Sequence, residues 1–439
     1  MKDIIVAKFG GTSLADAGRF KRVKSIVQSD GRRRFIVPSA PGKRSKDDFK
    51  ITDMLYECHE KAKLDMPFDD IFDIISKRYT DIINELGLNL DINKNLKDIK
   101  NNIKRGASRD YTASRGEYLN AFILSCYLGM DFVDASEVIL FDECGNFDAD
   151  RTNDVLSECL SKKDYAVIPG FYGSMPNGRI KTFTRGGSDV TGAIVARGTD
   201  ACLYENWTDV SGFLVADPKI VPGARIIENV TYRELRELSY MGATVLHEDA
   251  IFPVRKAKIP INIKNTNHPE ERGTIIADEC SFRDNAPVIT GIAGKKDFTA
   301  ITIEKTMMNT EIGFGSKLLS IIEKHNVSFE HLPSGIDTVS LVVESSQLRG
   351  KTGIIIDEIK KECRPDSISV NPDMALIAIV GRGMANSKTA AAKIFTALAE
   401  NMISILMIDQ GSSGINIIVG VKDGDFEKAI RVIYHAFQN

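Results

Sequence analysis

The sequence predicts an α/β fold: a three-layer αβα sandwich with a mainly parallel sheet, followed by a second, internally repeated α/β region. Three observations predict it. Short apolar runs alternate with helical stretches over the first 295 or so of the 439 residues. The first run, Ile4-Ile5-Val6-Ala7, leads directly into Lys8-Phe9-Gly10-Gly11-Thr12-Ser13 and then a helical segment from Ala15 to Ser29, the pattern of a strand, a tight loop and a helix. From Thr299 onward the period changes and the chain repeats itself.

The runs Ile4–Ala7, Phe35–Val37, Phe132–Asp134, Ala166–Pro169, Ala201–Tyr204 and Ile261–Ile263 are short and largely apolar, as strands covered on both faces are. Between Asp47 and Tyr127 the chain is almost continuously helical in period with charged faces, which makes a helical insertion of about 47–127 packed on the sheet edge. A four-helix partner-binding module is the alternative. Phe183-Thr184-Arg185-Gly186-Gly187-Ser188-Asp189 opens the helical stretch Thr191–Arg197. Residues 1–295 form one domain, with Pro287–Gly291 as the bridge to residues 296–439.

In the repeated region the first unit, about 299–365, reads as strand Ala300–Ile303, helix Ser316–His325, strands Val327–Leu332 and Thr338–Val343, and helix Lys351–Cys363. The second, about 374–439, reads as strand Leu376–Val380, helix Lys388–Glu400, strands Ile403–Ile408 and Gly414–Val421, and helix Asp425–Phe437. His325-Asn326-Val327-Ser328 is echoed by Asn401-Met402-Ile403-Ser404, and Ser334-Gly335-Ile336-Asp337 by Ser413-Gly414-Ile415-Asn416.

Bulk properties narrow the function classes. A net charge of -3 provides no polycation for nucleic acid. The clusters Arg32-Arg33-Arg34 and Lys43-Arg44-Ser45-Lys46 are read as solvated surface. The seven cysteines include no C-x-x-C pair, and no apolar run reaches membrane-spanning length, so a cytoplasmic chain with reduced thiols and no membrane partner is expected. The six histidines show no metal-ligand spacing, and the sequence leaves any metal ligand unassigned.

The loops carry the chemistry. Gly10 and Gly11 let backbone N–H groups approach a phosphate, and the Lys8 ammonium just ahead can neutralise a transferring phosphoryl group. No Gly-Lys-Ser/Thr follows at Walker A spacing. The second glycine pair follows Arg185, whose guanidinium forks onto carboxylates. Trp207-Thr208-Asp209-Val210 and Ile263-Lys264-Asn265-Thr266 end two further strands. Singly, Gly186-Gly187 is also a plain helix entrance, Asp209 a turn carboxylate and Lys264 a solvated lysine. Four such loops in this order, each ending a strand, point to a shared phosphate site.

Lys8-Phe9-Gly10-Gly11-Thr12-Ser13, Arg115-Gly116-Glu117, Thr184-Arg185-Gly186-Gly187-Ser188-Asp189, Trp207-Thr208-Asp209-Val210 and Asn262-Ile263-Lys264 together resemble the motif series of the aspartokinase family, within the amino-acid kinase superfamily. The resemblance spans nearly the whole chain. It implies a carbamate-kinase-like catalytic domain with its nucleotide-binding part at about 200–295. The repeats resemble tandem ferredoxin-like ACT domains, for which a purely structural role is the alternative.

The implied reaction is attack by the aspartate side-chain carboxylate on the γ-phosphorus of ATP, with Mg²⁺ bridging the β- and γ-phosphates. The nucleophile is already ionised, so no general base is needed. Lys8 and Lys264 are expected to flank the phosphoryl group, with Asp189 holding both lysines. The substrate set is Ser39, Thr52, Glu117 for the ammonium, Arg185 for the α-carboxylate, and Gly186, Gly187 and Ser188. The nucleotide set is Lys8, Gly10, Gly11, Thr12, Ser13, Thr208, Asp209, Leu214, Lys219, Lys264 and Asn265.

Tandem ACT units imply an amino-acid effector, lysine or possibly threonine, and a homodimer or dimer of dimers. Met308, Gly313, Ser328, Glu330 and Ser334 are the candidate effector residues. Three departures stand out: Lys219 in place of an arginine, the lengthened basic segment Pro41–Lys50, and Glu248 in place of proline. Two rivals remain: another kinase of the superfamily acting on glutamate, acetylglutamate or uridylate, none of which carries paired ACT units, and a non-catalytic amino-acid sensor.

Overall fold

The computed structural model describes residues 3–184, 186–243, 253–282 and 287–438. Two compact units form, one from residues 1–213, 226–232 and 245–282, the other from 214–225, 233–244 and 283–439.

The first unit carries, in chain order, β1 (Ile5–Phe9), α1 (Ala17–Gln28), β2 (Arg33–Pro38), α2 (Ile51–Lys63), α3 (Asp69–Glu85), α4 (Asn93–Lys104), α5 (Arg109–Leu128), β3 (Asp131–Phe132), α6 (Ala135–Val138), α7 (Ala149–Ser161), β4 (Ala166–Val167), β5 (Tyr172–Ser174), β6 (Ile180–Thr182), α8 (Gly187–Gly198), β7 (Leu203–Thr208), β8 (Asn229–Thr231), the start of α9 (Tyr232–Tyr240), β9 (Ile261–Asn265) and β10 (Thr274–Ala277). Eight strands form one sheet in the order β3-β4-β2-β1-β7-β9-β10-β8. All pairs are parallel except β9 with β10. The six strands expected in this unit are all present. Sequence reading missed β8, β10 and the β5–β6 hairpin, each four residues or fewer, too short to show a period.

The main core lies between one face of this sheet and helices α1 to α5. Asp16 caps α1 by accepting the Arg19 N–H. Ser108 caps α5, and Gly129 ends it in the left-handed conformation. Helix α5 is buried over most of its length, with Arg115, Glu117 and Asn120 inside. Arg33 corrects the expectation of a solvated basic cluster: it is 8% exposed and pairs with Glu205 at 2.7 Å. As the first residue of β2 it points into the sheet's core face, whereas Arg32, beside it, pairs with Asp30 outside.

In the second unit, β11 (Gly291–Glu304), α10 (Phe314–Lys324), β12 (Thr338–Glu344), α11 (Ser345–Leu348), α12 (Thr352–Cys363), β13 (Ser367–Val380), α13 (Ala390–Glu400), β14 (Met407–Asp409), β15 (Asn416–Lys422) and α14 (Phe426–Ala436) follow one another. One five-stranded sheet, β12-β11-β13-β15-β14, joins both repeats. β11 and β13 pair antiparallel along almost their whole length, from Gly291 opposite Val380 to Glu304 opposite Ser367. The residue pair 295/296, where the sequence places the domain division, lies inside β11. Val327–Leu332 is not a strand. Its N–H at Val327 turns back onto Ile322, and only isolated bridges such as His331 to Val342 follow. Ile403–Ile408 shrinks to β14. Among the described residues no helix is long and apolar enough to cross a membrane.

Candidate active site

Lys8 and Asn206 are Cα partners on β1 and β7, so strand alternation sends both side chains to the same face, toward α8. There the Lys8 ammonium lies 2.5 Å from Asp189 Oδ1 and 3.4 Å from Asn206 Oδ1. The Asn206 amide donates to Asp189 Oδ1 at 2.9 Å, closing a triangle. Asp189 belongs to the first turn of α8, whose N-terminal dipole favours a carboxylate there. Lys8 is 7% exposed and Asn206 4%, while the Asp189 side chain keeps 21%, so the buried ammonium has one open neighbour. Asn206 was missed from the sequence; a polar residue in a buried strand just before Trp207-Thr208-Asp209 was the available signal.

Lys264 does not join this triangle. Its β9 position pairs with Trp207, which pairs in turn with Phe9, so it projects from the opposite face. Its ammonium donates to the Glu271 carbonyl at 2.8 Å and lies 5.1 Å from the Trp207 ring centroid. Burial holds its pKa below the ordinary lysine value. The expectation that Asp189 holds both lysines is corrected: it holds Lys8 alone. On the Lys264 face the carboxylate belongs to Glu205, which accepts from Arg33 Nε at 2.7 Å and from Trp207 Nε1 at 2.8 Å.

The glycine pair works differently from the simplest expectation. A Cβ on Gly11 would sit 2.7 Å from the Ala40 carbonyl, and one on Gly42 would sit 2.7 Å from the Gly11 carbonyl carbon. Close packing of two loops therefore demands glycine here, reinforced by the Gly42 N–H donating to the Gly11 carbonyl at 2.8 Å. Gly10 anchors the loop to β7 through the Trp207 carbonyl at 3.0 Å. Ser13 and Thr266 share a hydrogen bond of 2.6 Å. A cavity of about 190 Å³ lies beside them, lined by Thr12, Ser13, Arg19, Arg22, Asp209, Thr266 and Asn267. Arg19 and Arg22, two cations one turn apart on α1, were not anticipated. Thr208 bonds Asp209 at 3.2 Å, and Asn265 donates to Ser211 at 2.9 Å. Leu214 and the exposed Lys219 belong to the second unit, where the Lys219 N–H donates to Asp217.

Helix α5 carries a second cluster. Glu117 is 5% exposed and its Oε2 has no partner; burial pushes its pKa up to about 8, although the Ala40 backbone N–H favours the ionised form. Ser39, just after β2, has its carbonyl bonded by Asn120, and Thr52 lies half-buried in the first turn of α2. Arg115 turns away, bonding Ser114 at 2.9 Å and stacking on Tyr111, Tyr118 and Tyr172. Gly186 caps α8 in the left-handed region, and a Cβ on Gly187 would meet the Phe171 ring at 2.4 Å. Ser188 is buried. Arg185 and Glu248 lie outside the described residues.

In the second unit, Met308 is 8% exposed and sits in the core with Phe314 and Leu318, so its side chain is not offered to a ligand. The N–H groups of Asn309, Thr310 and Glu311 are spent on the carbonyls of Ile336, Met307 and Met308. Gly313 caps α10 with φ of 85°. Ser328 bonds Gln347, Ser334 is exposed, and Glu330 accepts a hydrogen bond from Tyr240 that raises the phenol to about 12. Among the described residues no group of three His, Cys, Asp or Glu stands ready to hold a metal ion.

Residues 3–265 match the amino acid kinase family, and residues 377–437 an ACT domain. Aspartokinase 3 of Bacillus subtilis is 36% identical over 98% of both chains. The crystal structure of Clostridium acetobutylicum aspartate kinase superposes with a TM-score of 0.90 at 57% identity, covering 99% of this chain and 100% of that one. Escherichia coli aspartokinase III, at 25% identity, gives TM-scores of 0.72 for its complex with aspartate and ADP and 0.70 for its complex with lysine and aspartate. These cover 99% and 100% of this chain and all of theirs.

Proposed function

The chain belongs to the amino acid kinase family and, within it, to the aspartokinases, and from that premise we propose that it transfers the γ-phosphoryl group of ATP to the side-chain carboxylate of L-aspartate, giving 4-phospho-L-aspartate. The observation that carries this reading is the Lys8–Asp189–Asn206 triangle, because bringing two anions together needs a fixed cation more than a base. Lys8 neutralises the phosphoryl oxygens as charge builds, and Asp189 and Asn206 hold it in line. Glu117 takes the substrate ammonium, Arg185 the α-carboxylate, and Ser39 and Thr52 hydrogen-bond the remainder, with Gly186, Gly187 and Ser188 shaping the floor. Gly10, Gly11, Thr12, Ser13, Thr208, Asp209 and Asn265 line the phosphate tail. Lys264 serves the nucleotide from its own face instead of meeting Lys8. Magnesium enters as part of the substrate MgATP, held by the phosphates.

The catalytic domain spans about 1–295. The tandem ACT region senses an end-product amino acid, lysine before threonine, and pairs two chains in a homodimer; the E. coli relative complexed with lysine supports the first point. The reaction is then the first step toward lysine, threonine and methionine. Hydroxylamine trapping tests the central reading: aspartate with MgATP should yield a hydroxamate. ADP release with a different acceptor and no hydroxamate from aspartate would overturn it. Millimolar lysine should lower activity and raise the melting temperature, since a ligand of the native state must stabilise it; no change in either removes lysine as the effector.

A further inference from the structure

Two of the buried side-chain oxygens left without a partner stand one helical turn apart on the same helix: Glu117 Oε2 and Asn120 Oδ1. Residues three apart on a helix share a face. Both side chains grip one peptide group. The Ala40 N–H faces the Glu117 carboxylate, while the Ser39 carbonyl accepts from Asn120 Nδ2 at 2.6 Å. A Cβ on Gly116, the residue before Glu117, would lie only 3.0 Å from the Ala40 Cβ, so α5 and this peptide are in close contact.

That grip fixes the orientation of the Asn120 amide. A carbonyl can only accept, so the NH₂ end must face Ser39, and the oxygen must face away. Asn120 is 0% exposed, so this oxygen cannot reach bulk water. A buried acceptor left empty is costly, and two on one helix face call for a group that brings several N–H donors at once. An ammonium brings three.

We propose that Asn120 is a specificity-determining residue that accepts a second N–H from the substrate ammonium, beside Glu117. This rests on reading Glu117 as the ammonium's ionic partner. The carboxylate supplies charge, and the neutral amide supplies direction. A carboxylate alone accepts any cation, whereas two acceptors set one turn apart select a primary amine held at one distance from the reacting carboxyl group. An acceptor lacking the amine leaves both oxygens unpaired and is discriminated against for that reason.

Succinate tests this, since it carries both carboxylates of aspartate and no ammonium. The KM for aspartate and the inhibition constant for succinate are measured in the full chain for Asn120→Leu, Asn120→Ala and Glu117→Gln, with melting temperatures as the folding control. Both Asn120 variants should weaken aspartate about tenfold or more while moving succinate less than about twofold. Equal weakening of the two ligands would mean that Asn120 only braces the Ser39 peptide, and no weakening of either would mean that it does nothing here; both overturn the proposal. Should Asn120→Leu fail to fold, Asn120→Ala carries the same comparison. If Glu117→Gln preserves the preference for aspartate over succinate, the reading of Glu117 falls whatever the Asn120 variants show.

Discussion

The two faces of the first sheet carry the same chemical motif put to different ends. Toward α8, Lys8 pairs with Asp189, and the carboxylate remains partly open. Toward α1, Arg33 pairs with Glu205 in a bidentate fork, with side chains 9% and 4% exposed and Trp207 closing the set. A buried ion pair with an open edge can meet a substrate, whereas a closed one can only hold structure. The difference lies in position along the strands. Lys8 and Asn206 stand at their C-terminal ends, beside the loops, and Arg33 opens its strand at the other end.

The strongest way to break this comparison is to truncate one partner of each ion pair. Lys8→Ala should lower kcat by about a hundredfold to a thousandfold with the melting temperature nearly unchanged; parental turnover would remove Lys8 from the chemistry. Glu205→Leu should do the reverse. Leaving Arg33 buried and unpaired costs about 3–5 kcal/mol of stability in denaturant titration, with KM values kept. Adding Arg33→Met to it should restore most of that loss, and a double variant no more stable than the single would deny that the pair acts as a closed unit.

Glu117 sharpens the comparison through pH. Burial raises its pKa from the ordinary glutamate value of 4.5 to about 8, so the free enzyme holds a neutral carboxyl at pH 7. An ammonium needs the ionised form. Accordingly kcat/KM for aspartate should rise with pH up to about 8 and then level, and Glu117→Gln should lose that rise. For stability the sign is opposite: a raised carboxyl pKa favours the protonated native state, so folding stability from this group declines as pH climbs from 4.5 to 8. The smallest effect is expected at Lys264. Its truncation to alanine should raise KM for ATP a few fold and change kcat less than about threefold; a collapse in kcat equal to that of Lys8→Ala would erase the distinction between the faces.

Much of this was legible in the chain. The strand-loop-helix pattern gave Lys8 and the glycine pair, and Asp189 followed from the second loop. What escaped depends on pairing between distant segments. Lys264 looks like a second catalytic cation until its register against Trp207 is known, and a shift of one residue would have put it on the other face. Asn206 carries only a weak local signature and Asn120 none, because a polar residue inside a strand or helix acquires most of its meaning from what lies across from it. Arg33 looked solvated because its neighbours are. The first glycine pair was found for one reason and is required for another: Gly11 yields space to Ala40 and Gly42.

The shared strands of the second unit have a consequence for how this region is assembled. Glu304 and Ser367 face each other where β11 ends and β13 begins, so everything between them hangs from a hairpin stem. A short turn linking those two positions would excise the first repeat and leave a continuous ribbon to complete the second. The reverse surgery has no such shortcut, since the second repeat draws on both strands of the stem, Gly291–Lys295 from one and Met374–Val380 from the other. One repeat is therefore an insert and the other its host, an asymmetry invisible in two echoing stretches of sequence.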